Sequence, residues 1–189
     1  MKKVTRIFIV LILFLISCGN QKKDKEEICT EIINQILPSI IDSLKIKTWN
    51  FEKLNIVSNP IYILDTIYHG ISIDEIRSAA KFHNYNFPND SFNSMGDAKV
   101  LITSAYVYDT LQIISVKAIE DANKNTSIDS KNRITLVFSS LMLNGTKNYG
   151  VVSATELIGK YVGGNTYTFF IKKNEGKWVI ERCLLTGIR

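Results

Sequence analysis

Ile28, Ile32, Ile33, Ile36, Leu37, Ile40, Ile41 and Leu44 recur at steps of three, four and one. That spacing lays a broad apolar stripe along one face of a helix, and such a face must be covered by another surface. Pro38 falls inside the stripe, where it removes an amide donor and crowds the preceding turn, so a kink or two short helices are predicted. The intervening positions are mostly Glu, Asn, Gln, Ser and Asp rather than Lys, which suits core packing better than lying on a membrane surface. Beyond residue 60 the period changes. Residues 60–68, PIYILDTIY, read as a β-branched and aromatic strand. Ser72-x-x-Glu75 matches a capping box, and Ile73, Ile76, Ala79 and Ala80 behind it fit a short helix ending near His83. A polar loop follows over 83–93, then alternating stretches at 100–108 and 111–119, and a second polar loop at 122–132. Strands are expected at 134–143, 149–158, 167–173 and 177–183, joined by turns such as Asn144-Gly145-Thr146 and Asn174-Glu175-Gly176. Helices first and hairpins afterwards give an α+β class, with N-terminal helices followed by a curved antiparallel sheet.

The first residues set the compartment. Lys2, Lys3 and Arg6 precede ten uninterrupted apolar residues, Ile7 to Ile16. Ten helical residues reach about 15 Å, roughly half of a bilayer core, so the run is a signal-peptide core and not a membrane span. It ends in Leu15-Ile16-Ser17-Cys18-Gly19, which resembles a lipobox, the bacterial lipoprotein signal. That resemblance implies cleavage before Cys18, a diacylglycerol on its sulfur and an acylated amino terminus, with stable attachment to the membrane through several acyl chains. The expected organisation is a signal peptide at 1–17, a lipidated cysteine with a polar tether at 18–27, and one α+β domain at 28–189. Removing 1–17 takes away three positive charges from a chain of formal charge +5, leaving 20 basic against 18 acidic residues. A mature body near +2 lacks the concentrated basic face that nucleic acid demands.

The tail carries a further resemblance. Ser139-Ser140, Tyr149-Gly-Val-Val-Ser153, Gly163-Gly164, and Tyr167-x-Phe-Phe-Ile-Lys-Lys-Asn-Glu-Gly-Lys-Trp178-Val-Ile180 together resemble the ends of a group of small bacterial lipoproteins of uncharacterised function. Many of that group have cysteines near the glycines, whereas Leu157 and Ile158 stand here. The same Lys-x-x-Gly-Lys-Trp ending also resembles NTF2-like domains, in which a curved antiparallel sheet wraps a helix. Neither resemblance implies catalytic residues or a cofactor.

Chemistry-bearing residues are sparse. Cys29 and Cys183 remain in the mature chain, and an oxidising compartment permits a disulfide that would close a loop of about 155 residues. Two separate buried thiols are the alternative. Asp121-x-Asn123-x-Asn125 begins a partial match to a calcium loop, but Thr126 replaces the glycine and Asn132 the bidentate glutamate, so a plain polar loop is expected. The two histidines, His69 and His83, have no metal-site spacing, and no metal site or cofactor motif is found. The sequence therefore reads as a lipid-anchored envelope protein, a non-catalytic module for an unknown protein or small-molecule partner. The alternative is an enzyme or ligand-binding domain with an open-sheet pocket of the NTF2-like kind, in which Asp65, His69 and Asp109 would converge.

Overall fold

The computed structural model describes residues 24–44, 61–103, 111–114, 134–158 and 164–188. Helix α1 runs over 24–43 without a break at Pro38. Seven of the eight stripe positions, from Ile32 to Leu44, are at most 3% exposed, and so is the neighbouring Cys29. Burial of that stripe outweighs the single amide lost at the proline. The helix also takes in residues 24–27, which the sequence assigns to the tether. The remainder of the tether, and the signal sequence with Cys18, lie outside the described residues.

Strands β1 (Ile61–Tyr68), β2 (Phe92–Ser94), β3 (Ala98–Lys99), β4 (Leu111–Ile114), β5 (Ile134–Asn144), β6 (Tyr149–Ile158), β7 (Asn165–Asn174) and β8 (Lys177–Ile188) form one open sheet, and helix α2 (Ile73–Phe82) follows β1. The class is α+β. From β5 to β8 the strands run as an antiparallel meander, as expected from their turns. The sheet as a whole is mixed, however, because β1 lies parallel to both β4 and β5. The crossover through α2 lets β1 join the sheet in that sense, since parallel neighbours need a long connection and a hairpin does not supply one.

Segment 100–103 alternates like a strand but has no strand assignment. The Val100 amide still donates to the Asp65 carbonyl of β1 at 2.8 Å, and from Leu101 the segment runs beside α1, whose side chains supply its partners. Asn34 donates to the Leu101 carbonyl at 2.7 Å and accepts from the Thr103 amide at 2.7 Å, while Thr30 Oγ1 accepts from the Leu101 amide at 3.1 Å. At the other side of the helix the Trp178 amide donates to Gln35 Oε1 at 2.6 Å, tying α1 to the last hairpin.

The sheet is covered on both faces. The α1 stripe packs on Ile63, Leu136, Phe138, Val152, Phe169 and Trp178, forming the main core. On the opposite face Ile76 and Ala80 of α2 pack with Met142, Val151, Phe170 and Leu184. Ser72 and Glu75 make both bonds of the capping box at the start of α2, and His83 caps its end. The loop after α2 is pinned to the sheet by rings, with Tyr85 and Phe87 at 4.6 and 5.1 Å from Phe170.

Three irregularities decide which side chains face where. Between Ser139 and Met142 strand β5 carries one extra residue relative to β6, and Ser140 adopts φ 54° there. The even positions Leu136 and Phe138 face α1 before the bulge, and the odd positions Leu141 and Leu143 join the same core after it. Strand β8 has two similar register shifts against β7, which leave Glu181 and Thr186 as its extra residues.

Phe169 is fully buried in the main core. Phe169→Ala is expected to cost about 3–5 kcal/mol through lost transfer energy and a residual cavity. Ser72→Ala, which removes the cap hydroxyl, is expected to cost about 1 kcal/mol. Urea unfolding monitored by tryptophan fluorescence measures both, and a Phe169 loss no larger than the Ser72 loss would contradict this placement of the core.

Candidate functional site

Helix α2 spans only part of its sheet face, and beside its N-terminus lies a groove of about 530 Å³. That size falls within the range of about 300–1,000 Å³ typical of small-molecule sites. Its floor is made of hydroxyl side chains on four adjacent strands: Ser139 of β5, Ser153 and Thr155 of β6, Thr166 of β7 and Thr186 of the edge strand β8. Its wall comes from His69, Gly70, Ile71 and Glu75. Strand alternation explains the floor, because Ser153 and Thr155 have the opposite parity to Val152 and Ala154, which face α1. Thr186 reaches it through the second bulge of β8.

The hydroxyls bond chiefly to one another. Ser153 and Thr168 are 3.3 Å apart, Thr168 and Thr186 3.0 Å, and Thr155 and Thr166 3.0 Å. Thr186 also donates to the Thr166 carbonyl at 3.3 Å. Glu75 Oε2 accepts from the Ser72 amide at 2.7 Å. That amide, with the Ser72 hydroxyl, holds the Glu75 carboxyl below its ordinary range, so the wall carries a settled negative charge. A Cβ added to Gly70 would collide with Ser140 Oγ, so the backbone at the wall sits directly against the β5 bulge.

The sequence-derived candidates are scattered. His69 lines the groove, and its backbone amide donates to Asp97 Oδ1 at 2.6 Å. Asp65 is elsewhere on β1; it accepts from the Thr66 hydroxyl at 3.1 Å and lies 3.9 Å from Lys99 Nζ. Asp109 and the polar loop from Asp121 to Asn132 lie outside the described residues. Cys29 and Cys183 are free thiols. Both belong to or pack against the main core, and burial pushes both thiols up to about 11, which makes them poor nucleophiles at neutral pH. Among the described residues no group of three or more His, Cys, Asp and Glu is placed to hold a metal ion. Nor is any described helix long and apolar enough to cross a membrane.

Two polar features escape a reading of the sequence. Glu181, the first bulge residue of β8, gathers Lys172 at 2.8 Å, Tyr85 at 2.8 Å and Tyr149 at 2.9 Å on its carboxylate. Partial burial opposes its ionisation, and the bonds from Lys172, Tyr85 and Tyr149 together outweigh burial and hold its carboxyl below the ordinary range. The cluster clamps the loop after α2 to the sheet edge. Glu156 on β6 is the second feature, and it faces the α1 core at 2% exposure. Asn165 across the strand pair hydrogen-bonds it, whereas its Oε2 has no partner among the described residues. Burial pushes its carboxyl up to about 7. The one signal in the sequence is parity, since Glu156 continues the Val152–Ala154 face.

No family model matches the chain, and neither a curated protein nor a solved structure matches it.

Glu156 titrates near 4.5 when unfolded and near 7 when folded, so the folded state holds the extra proton between those values. Its contribution to stability is complete below pH 4.5 and is lost as pH rises through about 7. Urea midpoints are expected to fall between pH 5 and pH 8, and Glu156→Gln is expected to flatten that fall and to be the more stable form at pH 8. An unchanged slope in the variant would show that another group is responsible.

Proposed function

We propose that this chain is a lipid-anchored protein of the bacterial cell envelope whose folded body is a non-catalytic binding module, with the hydroxyl groove beside α2 as its binding face. The anchor reading rests on the charged n-region, the short apolar core and the Leu-Ile-Ser-Cys run ending at Cys18. The observation that carries the binding reading is the groove itself: a cleft of about 530 Å³ floored by hydroxyls from four adjacent strands. A hydroxyl becomes a nucleophile when a base takes its proton. The bonds of Ser153, Thr155, Thr166 and Thr186 run to other hydroxyls and one carbonyl, which is an arrangement for recognition.

A second reading, an enzyme or ligand-binding domain with an open-sheet pocket of the NTF2-like kind, draws support from Glu156. A buried carboxyl poised near neutrality is a common feature of reactive sites. It requires a ligand whose affinity changes across pH 7 in the natural protein and not in Glu156→Gln.

Fractionation of the native host tests the anchor. The natural chain is expected in the membrane fraction, released only by detergent, with an amino-terminal peptide beginning at Cys18 and heavier by its acyl groups. Cys18→Ala is expected to leave that fraction or retain its signal sequence. An unmodified, unprocessed amino terminus in the natural chain would overturn the proposal.

A further inference from the structure

We infer that the groove beside α2 takes a hydrogen-bond-donating, non-anionic polyhydroxylated ligand: a neutral or amino sugar unit. This rests on the reading of the groove as a binding face and specifies its ligand. The argument is a count of protons. Each hydroxyl has one proton to give and two lone pairs to receive with. Thr186 gives its proton to the Thr166 carbonyl. Its 3.0 Å bond with Thr168 is then donated by Thr168, and the 3.3 Å bond between Thr168 and Ser153 by Ser153. Those three protons are all committed, while Ser153 and Thr186 keep lone pairs at the floor. The Thr155–Thr166 pair uses one of its two protons and keeps one. Ser139 adds one proton and two lone pairs, so the floor still offers more acceptor sites than protons, and it suits a ligand that brings its own O–H or N–H groups.

Charge narrows the class further. A helix N-terminus ordinarily favours anions. Here Glu75 already occupies that place, bonded to the Ser72 amide and kept ionised. The lining includes no Lys or Arg. An anionic ligand would meet a carboxylate with no Lys or Arg to offset it, whereas an ammonium group would gain from it. The methyl groups of Thr155, Thr166 and Thr186, together with Ile71, provide apolar contact for the C–H edges of a sugar ring. The strands that carry these hydroxyls stand about 4.8 Å apart, a spacing that several hydroxyls of one ring can span.

The test uses the full-length chain purified from membranes in a detergent without sugar headgroups. Glucosamine, glucose, glucuronate and glucose 6-phosphate are the probes, followed by calorimetry and saturation-transfer NMR. Glucosamine is expected to bind best, glucose next, and the two anionic sugars at least about tenfold more weakly than glucosamine. Thr155→Val with Thr166→Val preserves shape and strand propensity while removing the spare proton and its neighbouring acceptors; it is expected to weaken glucosamine and glucose about tenfold. Glu75→Gln keeps a capping-box residue at its position and is expected to bring glucosamine down to the affinity of glucose. A chitosan oligomer presents amino sugar units in a chain: its binding marks a glycan as the source, and binding of the monosaccharide alone marks a free sugar. Equal or tighter binding of glucuronate, or undiminished binding in the folded double valine variant, overturns the inference. So does failure of every sugar to bind; if Cys18 is still found acylated, the ligand class falls and the anchored module stands.

Discussion

The two faces of the sheet are covered by helices of unequal length, and most of the molecule follows from that inequality. A helix over 24–43 spans about 30 Å, and the ten residues of α2 span about 15 Å. The long helix lays an unbroken aliphatic stripe across its side, so the strand positions beneath it are Leu136, Phe138, Val152 and Phe169. The short helix shields Met142, Val151 and Phe170 and ends before the rest of that face is covered. Strand positions left beyond it must tolerate water, and they are the half-buried Thr155, Thr166 and Thr186. The groove is thus what remains where the second layer stops.

Bulges do the fine placement. Strict alternation carried through all of β5 would have turned Leu141 and Leu143 away from the core, and the extra residue Ser140 restores them. In β8 the two extra residues put Glu181 under the tyrosines and Thr186 on the groove floor. A serine at positive φ with its hydroxyl unpartnered among the described residues is an uncomfortable choice locally. It is held by the pairing on either side, with β1 before it and β2 after it.

What could be read from the chain alone was what is local. The α1 stripe is written in steps of three and four, the start of α2 in Ser72 and Glu75, and the meander in its turn residues. The parallel placement of β1 is different in kind. Its β-branched run fits either direction, and the choice depends on partners fifty and seventy residues away. The same limit hid the groove. Threonines that alternate with aliphatics on a strand describe any half-exposed sheet, and only the register brings Thr155, Thr166 and Thr186 onto one floor. His69 was visible because it stands beside a glycine at a turn, whereas Asp65 turned out to be occupied by Lys99 and Thr66. Glu156 is legible only through parity, and parity becomes informative once the strand is known to have a buried side.

Helix α1 is already formed at Asp24, and this bears on how an anchored body would sit. From Cys18 to Asp24 the backbone makes six steps, so even when fully extended it reaches about 20 Å. An acylated Cys18 would hold Asp24 within about 20 Å of the lipid surface. Such a leash is too short for foraging across the envelope; whatever the domain meets, it would meet at the bilayer's own doorstep.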